Sequence, residues 1–149
     1  MRKIYLPILL MVILNSCFLF KDYKKKEFVY ISNGQNLSQP IIVPKGYTKE
    51  EVTDTAGIHL TTFHYPDGAY LYAAYLKDTT YELQQFNRMN HQPLYHRLGG
   101  MVYKGQDANE LFYREIRQGN LRFGYRNVSL YSEALFDSAT NFASLQRRY

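Results

Sequence analysis

The chain has a single cysteine and no tryptophan in 149 residues, and no apolar run long enough to cross a bilayer. A lone thiol, Cys17, cannot close an internal disulfide, so any folded domain must be held by its own hydrophobic core. The longest apolar stretch, Ile4 to Leu14, stops at Asn15 and Ser16 after about half the length a spanning helix needs. No glycine-rich loop suited to cradling a phosphate occurs, and Ser129, Ser132, Ser138 and Ser144 lie in no glycine-flanked elbow that would expose a nucleophile. Excess charge of one sign is also missing where it would count. The formal charge is +5, but of 18 basic side chains six lie at Arg2, Lys3, Lys21, Lys24, Lys25 and Lys26, and of 13 acidic ones two lie at Asp22 and Glu27. The body from Phe28 to Tyr149 keeps 12 basic and 11 acidic groups, a balance that excludes a nucleic-acid-binding domain.

What is present begins at the amino terminus. Arg2 and Lys3 precede the apolar run, the layout of a secretory signal. Leu14-Asn15-Ser16-Cys17 follows directly, and it resembles the lipobox of bacterial lipoprotein precursors: aliphatic, any small residue, small residue, cysteine. Asn15 departs from that pattern, since a small apolar or hydroxyl residue is commoner there. The resemblance implies cleavage after Ser16, lipid on Cys17 and an envelope location, the outer membrane being favoured because Phe18 rather than aspartate follows the cysteine. It covers the first 17 residues only. Residues 1–16 are thus expected to be a signal peptide and 17–27 a lipidated cysteine with a flexible charged tether. Residues 28–149 form one domain, a size that permits a real core. The Lys21 to Lys26 cluster reads as a solvated tether, or alternatively as a site of attraction to acidic headgroups.

In the body, Phe28-Val29-Tyr30-Ile31 reads as a strand ending at the turn dipeptide Asn33-Gly34. Ile41-Ile42-Val43, bracketed by Pro40 and Pro44, reads as a short edge strand. Thr48 and Glu51 suggest a capped helical turn. Pro66-Asp67-Gly68 between two apolar segments predicts a hairpin with a glycine bulge. Its faces group Ile58, Leu60, Tyr72 and Leu76 against Phe63, Leu71 and Tyr75, as central strands would. A capping box at Thr79 and Glu82 predicts a helix over 80–90. Met101-Val102-Tyr103 reads as a strand, and Gly105 to Asn109 as a turn.

Gly119-Asn120, as a two-residue turn, pairs Gln118 with Leu121, Ile116 with Phe123, Arg114 with Tyr125 and Phe112 with Asn127 on an apolar face. The other face carries Tyr113, Glu115, Arg117, Arg122 and Arg126, expected to be solvated. A wide apolar stripe through Leu135, Phe136, Ala139, Phe142, Ala143 and Leu145 predicts a closing helix over 132–147. The expected fold is α+β: a mostly antiparallel sheet of about five or six strands with two helices on one face.

Candidate chemistry is sparse. His59, His64, His91 and His96 match no zinc spacing, and Asp107 with Glu110 lacks the layout of a calcium loop, so neither a metal nor a cofactor is expected. The arginine face carries two readings: a cross-strand charge ladder, or a groove for an anionic partner gripped by bidentate guanidinium groups. The function expected is a lipid-anchored module binding an envelope protein or polymer. The alternative is an envelope hydrolase whose site the sequence does not announce.

Overall fold

Local turn chemistry sets the hairpins. The structure, a computed structural model, describes residues 21–83, 94–95 and 100–145. Asn33 and Gly34 both take positive φ (51° and 75°), the geometry of a type I′ turn, and join β1 (Tyr23–Ser32) to β2 (Gln35–Pro44) through ten residue pairs. After β3 (Lys49–Asp54), Gly68 at φ 83° closes the loop between β4 (Ile58–His64) and β5 (Tyr70–Leu76), where the Tyr65 amide donates to the Ala69 carbonyl at 2.9 Å. The third hairpin turns at Gly119 (φ 55°) and Asn120. It pairs β8 (Phe112–Gln118) with β9 (Leu121–Val128), next to β7 (Met101–Gln106) and the two-residue β6 (Leu94–Tyr95). One helix, α1 (Glu133–Leu145), closes the described chain.

Two antiparallel meanders meet in a seven-stranded sheet of order β3-β4-β5-β9-β8-β7-β6, while β1 and β2 form a separate ribbon. The fold is therefore α+β and mostly antiparallel. It holds nine strands among the described residues, against the five or six expected, and one helix rather than two. The helix expected over 80–90 starts in residues that are turn or irregular through Leu83, and the remainder lies outside the described residues. No helix among the described residues is long and apolar enough to cross a membrane.

Three further expectations are corrected. The tether assigned to 17–27 gives way to strand from Tyr23 onward, because the apolar surface that holds β1 sits on its partner, where Ile41, Ile42 and Val43 are buried. For the same reason Ile41-Ile42-Val43 belongs to a ten-residue strand rather than a short one. Pro40 and Pro44, four apart, present their nitrogens to one edge of a ribbon that has a single neighbour, where a missing donor costs nothing. Residues 49–54 are strand, not a helical turn.

The ribbon and α1 lie side by side on one face of the sheet. Phe28, Ile42 and Val43 from the ribbon, Phe63, Leu71, Phe123, Tyr125 and Val128 from the sheet, and Phe136, Ala139 and Ala143 from the helix form the main core. Ile58, Ala74 and Leu76, with Leu60 and Leu83, make a smaller cluster on the other face, as the alternation along β4 and β5 predicts. The hairpin register at Gly119-Asn120 is as expected through Arg114 opposite Tyr125. Beyond it the expected Phe112–Asn127 pair is replaced by Phe112–Val128, because Asn127, at φ 58°, takes up a bulge residue and turns Val128 into the core.

A polar network fixes α1 to the sheet. Tyr125 donates to Asp137 Oδ1 at 2.7 Å, and Arg114 donates to the Asp137 carbonyl (3.1 Å), Thr140 Oγ1 (3.0 Å) and Asn141 Oδ1 (2.9 Å). Lys104 bridges Asp137 Oδ2 and Glu133 at 2.7 and 2.5 Å. Burial works against the Lys104 charge, yet the bonds to Asp137 and Glu133 prevail and hold its pKa above the usual lysine value.

Truncating Phe123, 1 % exposed, to alanine should cost about 3 to 5 kcal/mol in denaturant unfolding. Burial pushes the hydroxyls of Tyr65 and Tyr125 well above their usual value, Asp137 adding to the effect at Tyr125. The unfolded chain therefore releases these two protons first, and stability should fall as pH rises past about 10. In a spectrophotometric titration their phenolates should appear only with unfolding, and Tyr125→Phe should flatten the fall of the melting temperature above that pH.

Candidate functional site

On the sheet face opposite the helix, one row of residues crosses four strands: Tyr72, Gly124, Glu115 and Tyr103 stand side by side on β5, β9, β8 and β7. Gly124 has no side chain, and a Cβ there would collide with the Tyr72 hydroxyl and the Arg114 carbonyl oxygen. The Tyr72 ring can therefore lie across β9 and donate to Glu115 Oε2 at 2.7 Å. Arg117 Nε donates to Glu115 Oε1 at 2.6 Å, and its guanidinium lies 4.4 Å from the Tyr103 ring centre.

The structure brings Glu115, Arg117, Arg122 and Arg126 to this one face, as expected, but corrects their environment. Glu115 is 1 % exposed rather than solvated, and Tyr113 is 8 % exposed. The three arginines are half-buried. The pairing of Glu115 with Gly124 was legible. The third strand, which delivers the Tyr72 hydroxyl over that glycine, was not.

Arg122 donates to the Leu121 carbonyl at 2.8 Å and also to that of Gly119. Burial lowers its pKa, with Glu115 acting in the opposite sense. At Tyr113 burial raises the hydroxyl while Arg126 opposes it. Two of the guanidinium groups thus hold intramolecular acceptors, which weakens the reading of this face as an open anion grip.

A second site escaped the sequence. The edges of β1 and β3 that pair with no other strand among the described residues flank an open cleft of about 370 Å³. Val29, Ile31 and Val52 line it and are 50, 54 and 59 % exposed, a concentration of apolar surface unusual for edge strands. Its polar lining is largely matched already. Lys26 bridges to Glu50 at 2.7 Å, Lys77 binds Asp54, and Ser38 donates to Glu27. The Lys77 ammonium, and to a lesser degree His59, hold the Asp54 carboxyl below its usual pKa. The outward alternation of Val29 and Ile31 in β1 was the available signal, but only the ribbon's position beside β3 turns it into a wall.

Of the histidines, the two described, His59 and His64, do not converge. His59 Nδ1 lies 3.4 Å from Asp54, His64 Nε2 lies 3.3 Å from Glu51, and His91 and His96 fall outside the described residues. Among the described residues no three His, Cys, Asp or Glu side chains could together hold a metal ion. Asp107 Oδ1 accepts from the amides of Asn109 (2.8 Å) and Leu111 (3.1 Å), which makes this segment a turn.

Glu115→Ala should cost about 3 kcal/mol, since it leaves the Tyr72 hydroxyl and Arg117 Nε without their buried acceptor. Arg126→Ala should stay within about 0.5 kcal/mol. Chemical denaturation of both variants would show equal losses if the face were simply a solvated ladder. No protein-family model, no curated protein and no solved structure matches this chain.

Proposed function

We propose that this chain is a lipid-anchored lipoprotein of the bacterial envelope, held through Cys17, whose domain binds an extended segment of a partner polypeptide along the cleft between β1 and β3. The observation that carries the binding reading is the pairing of two open strand edges with the exposed side chains of Val29, Ile31 and Val52. An added strand would satisfy main-chain donors and acceptors at an edge while alternate apolar side chains enter the cleft. Lys26, Lys49 and Lys77 already engage Glu50, Glu51 and Asp54 of β3, so apolar side chains rather than charge would choose the partner segment.

The hydrolase reading has one observation in its favour, the Asp54–His59 contact inside the cleft. A general base works best with a pKa near the working pH, and Asp54 is displaced the other way by Lys77. The arginine face is the lesser binding candidate, because Arg117 and Arg122 already hold internal acceptors.

Mass spectrometry of the membrane fraction should find Cys17 as the lipidated first residue, and an unmodified cysteine there would remove the anchor. A photo-crosslinking residue at position 52 should capture one envelope polypeptide. Ile31→Asp should abolish that capture with the melting temperature nearly unchanged, whereas Arg122→Ala combined with Arg126→Ala should leave it intact. Capture lost in the arginine variant alone would transfer the site to that face.

A further inference from the structure

Two strand edges border the cleft, and hairpin geometry fixes what each one offers. The two-residue turn at Asn33-Gly34 makes Ser32 and Gln35 a hydrogen-bonded pair, so Ser32, Tyr30 and Phe28 bond to β2 while the residues between them do not. The Lys45 amide donating to the Asp22 carbonyl at 2.8 Å shows the same phase at the ribbon's other end. Glu27, Val29 and Ile31 therefore aim both main-chain groups at the cleft. On β3 the Thr55 amide donates to the Ile58 carbonyl at 2.9 Å, and by the same alternation Glu50, Val52 and Asp54 turn theirs outward.

The edges are defended unequally. β2 presents Pro40 and Pro44 on its outer side, where a second strand would find no donor. β3 has charged side chains at Lys49, Glu50, Glu51 and Asp54, four of its six positions. In β1 the stretch from Phe28 to Ser32 has neither proline nor charge, and two of its aliphatic side chains are exposed. It is the edge left open to pairing.

Position decides in the same sense. Phe28 lies against His59 of β4 (ring centres 5.7 Å apart) and Tyr30 against Tyr75 of β5, so the inner face of β1 rests on the sheet next to β3. A strand joined to β3 would extend the seven-stranded sheet in its own plane and leave Val29 and Ile31 bare. A strand joined to β1 would lie over Val52, Thr61 and His59, which line the cleft, and would cover Val29 and Ile31 as cross-strand neighbours. Its side chains opposite Phe28 and Tyr30 point into the cleft, and those opposite Val29 and Ile31 meet these two aliphatic groups. All four positions therefore favour apolar residues. Opposite Lys26 the preference ends, because the Lys26–Glu50 ion pair crosses from β1 to β3 there. A second copy of β1 does not fit: directly opposed residues share a face, so a two-fold pair would drive the other copy's sheet into the space of β3.

We infer that β1 is the acceptor edge, and that the segment it takes is an extended run of four consecutive apolar residues, opposite Phe28 to Ile31, from another polypeptide. This deepens the cleft reading and rests on it. The ligand class is an uncharged aliphatic strand rather than an alternating amphipathic one, since both of its faces meet apolar side chains.

The probe is a fluorescein-labelled peptide with Val-Ile-Val-Ile between Thr-Lys ends, added to the full-length protein and followed by anisotropy. Two N-methylated forms cover alternate amides. One should bind about tenfold more weakly, because its methyl groups displace hydrogen bonds to β1, and the other should bind like the parent. A peptide with Val-Glu-Val-Lys in the centre should also lose about tenfold. Val29→Pro removes an outward donor and should weaken the parent peptide, whereas Val52→Pro should leave it nearly unchanged. A photoreactive group on the peptide, with wild-type protein, should label residues 29–31, which keeps the edge assignment testable if Val29→Pro folds poorly. Equal binding of the two methylated forms, loss in Val52→Pro alone, or equal binding of the charged peptide would overturn the inference while leaving the cleft as the site. A dimer that forms through β1 and excludes the peptide would overturn it as well. Labels falling wholly outside the cleft would overturn the cleft reading together with it.

Discussion

The ten-pair register of β1 on β2 is the constraint on which the remaining architecture depends. A seven-stranded sheet with an apolar face needs a covering layer wider than one thirteen-residue helix can supply. The ribbon provides the missing half, placing Phe28 and Ile42 beside Phe63 and Leu71 while α1 covers Phe123 and Tyr125. Because a lone hairpin is at best marginally stable in water, ribbon and sheet need each other. Stacking of Tyr30 on Tyr75 at 4.7 Å and the 2.7 Å bond between the Ser32 and Tyr75 hydroxyls fix the ribbon's far end over β5.

The two faces of the sheet handle buried charge differently. On the helix side Asp137 collects Tyr125, Arg114 and Lys104, so one carboxylate on α1 registers the helix against three strands. On the other side Glu115 is held by Tyr72 and Arg117 from its own sheet. Removing one partner from either cluster leaves a desolvated group behind, which makes each a device for uniqueness of packing more than a source of net stability. Gly124 is the geometric condition for the second cluster, since any side chain there would close the path of Tyr72 across β9.

What could be read in the sequence was what local chemistry determines. Gly68 and Gly119 specify their turns through positive φ, and the alternation along β4, β5, β8 and β9 then assigns Phe63, Leu71, Ile116 and Phe123 to the core. The misread segments depend on distant partners. Lys24-Lys25-Lys26 looks like a solvated linker until Ile41, Ile42 and Val43 are laid beside it, and Glu115 looks exposed until Tyr72 arrives from two strands away. Asn127 shows the same limit at shorter range, since a bulge changes pairing without changing composition. The cleft was illegible because its walls, Val29 and Ile31 on one side and Val52 on the other, belong to different sheets.

The replacement of a tether by a strand also changes what a lipid on Cys17 would do. A flexible arm would decouple the domain from the bilayer and leave every face equally able to meet a partner. A strand that begins six residues after the cysteine would transmit such an anchor's position to the whole body, because β1 is bonded along its length to β2 and β2 packs against α1. The one segment whose composition argued most strongly for disorder would then be the one that orients the molecule. Within it Lys26 is held by Glu50 beside the cleft, whereas Lys21, Lys24 and Lys25 are exposed. A partner strand entering beside β3 would then meet a cleft whose position relative to such an anchor is set by the same ribbon.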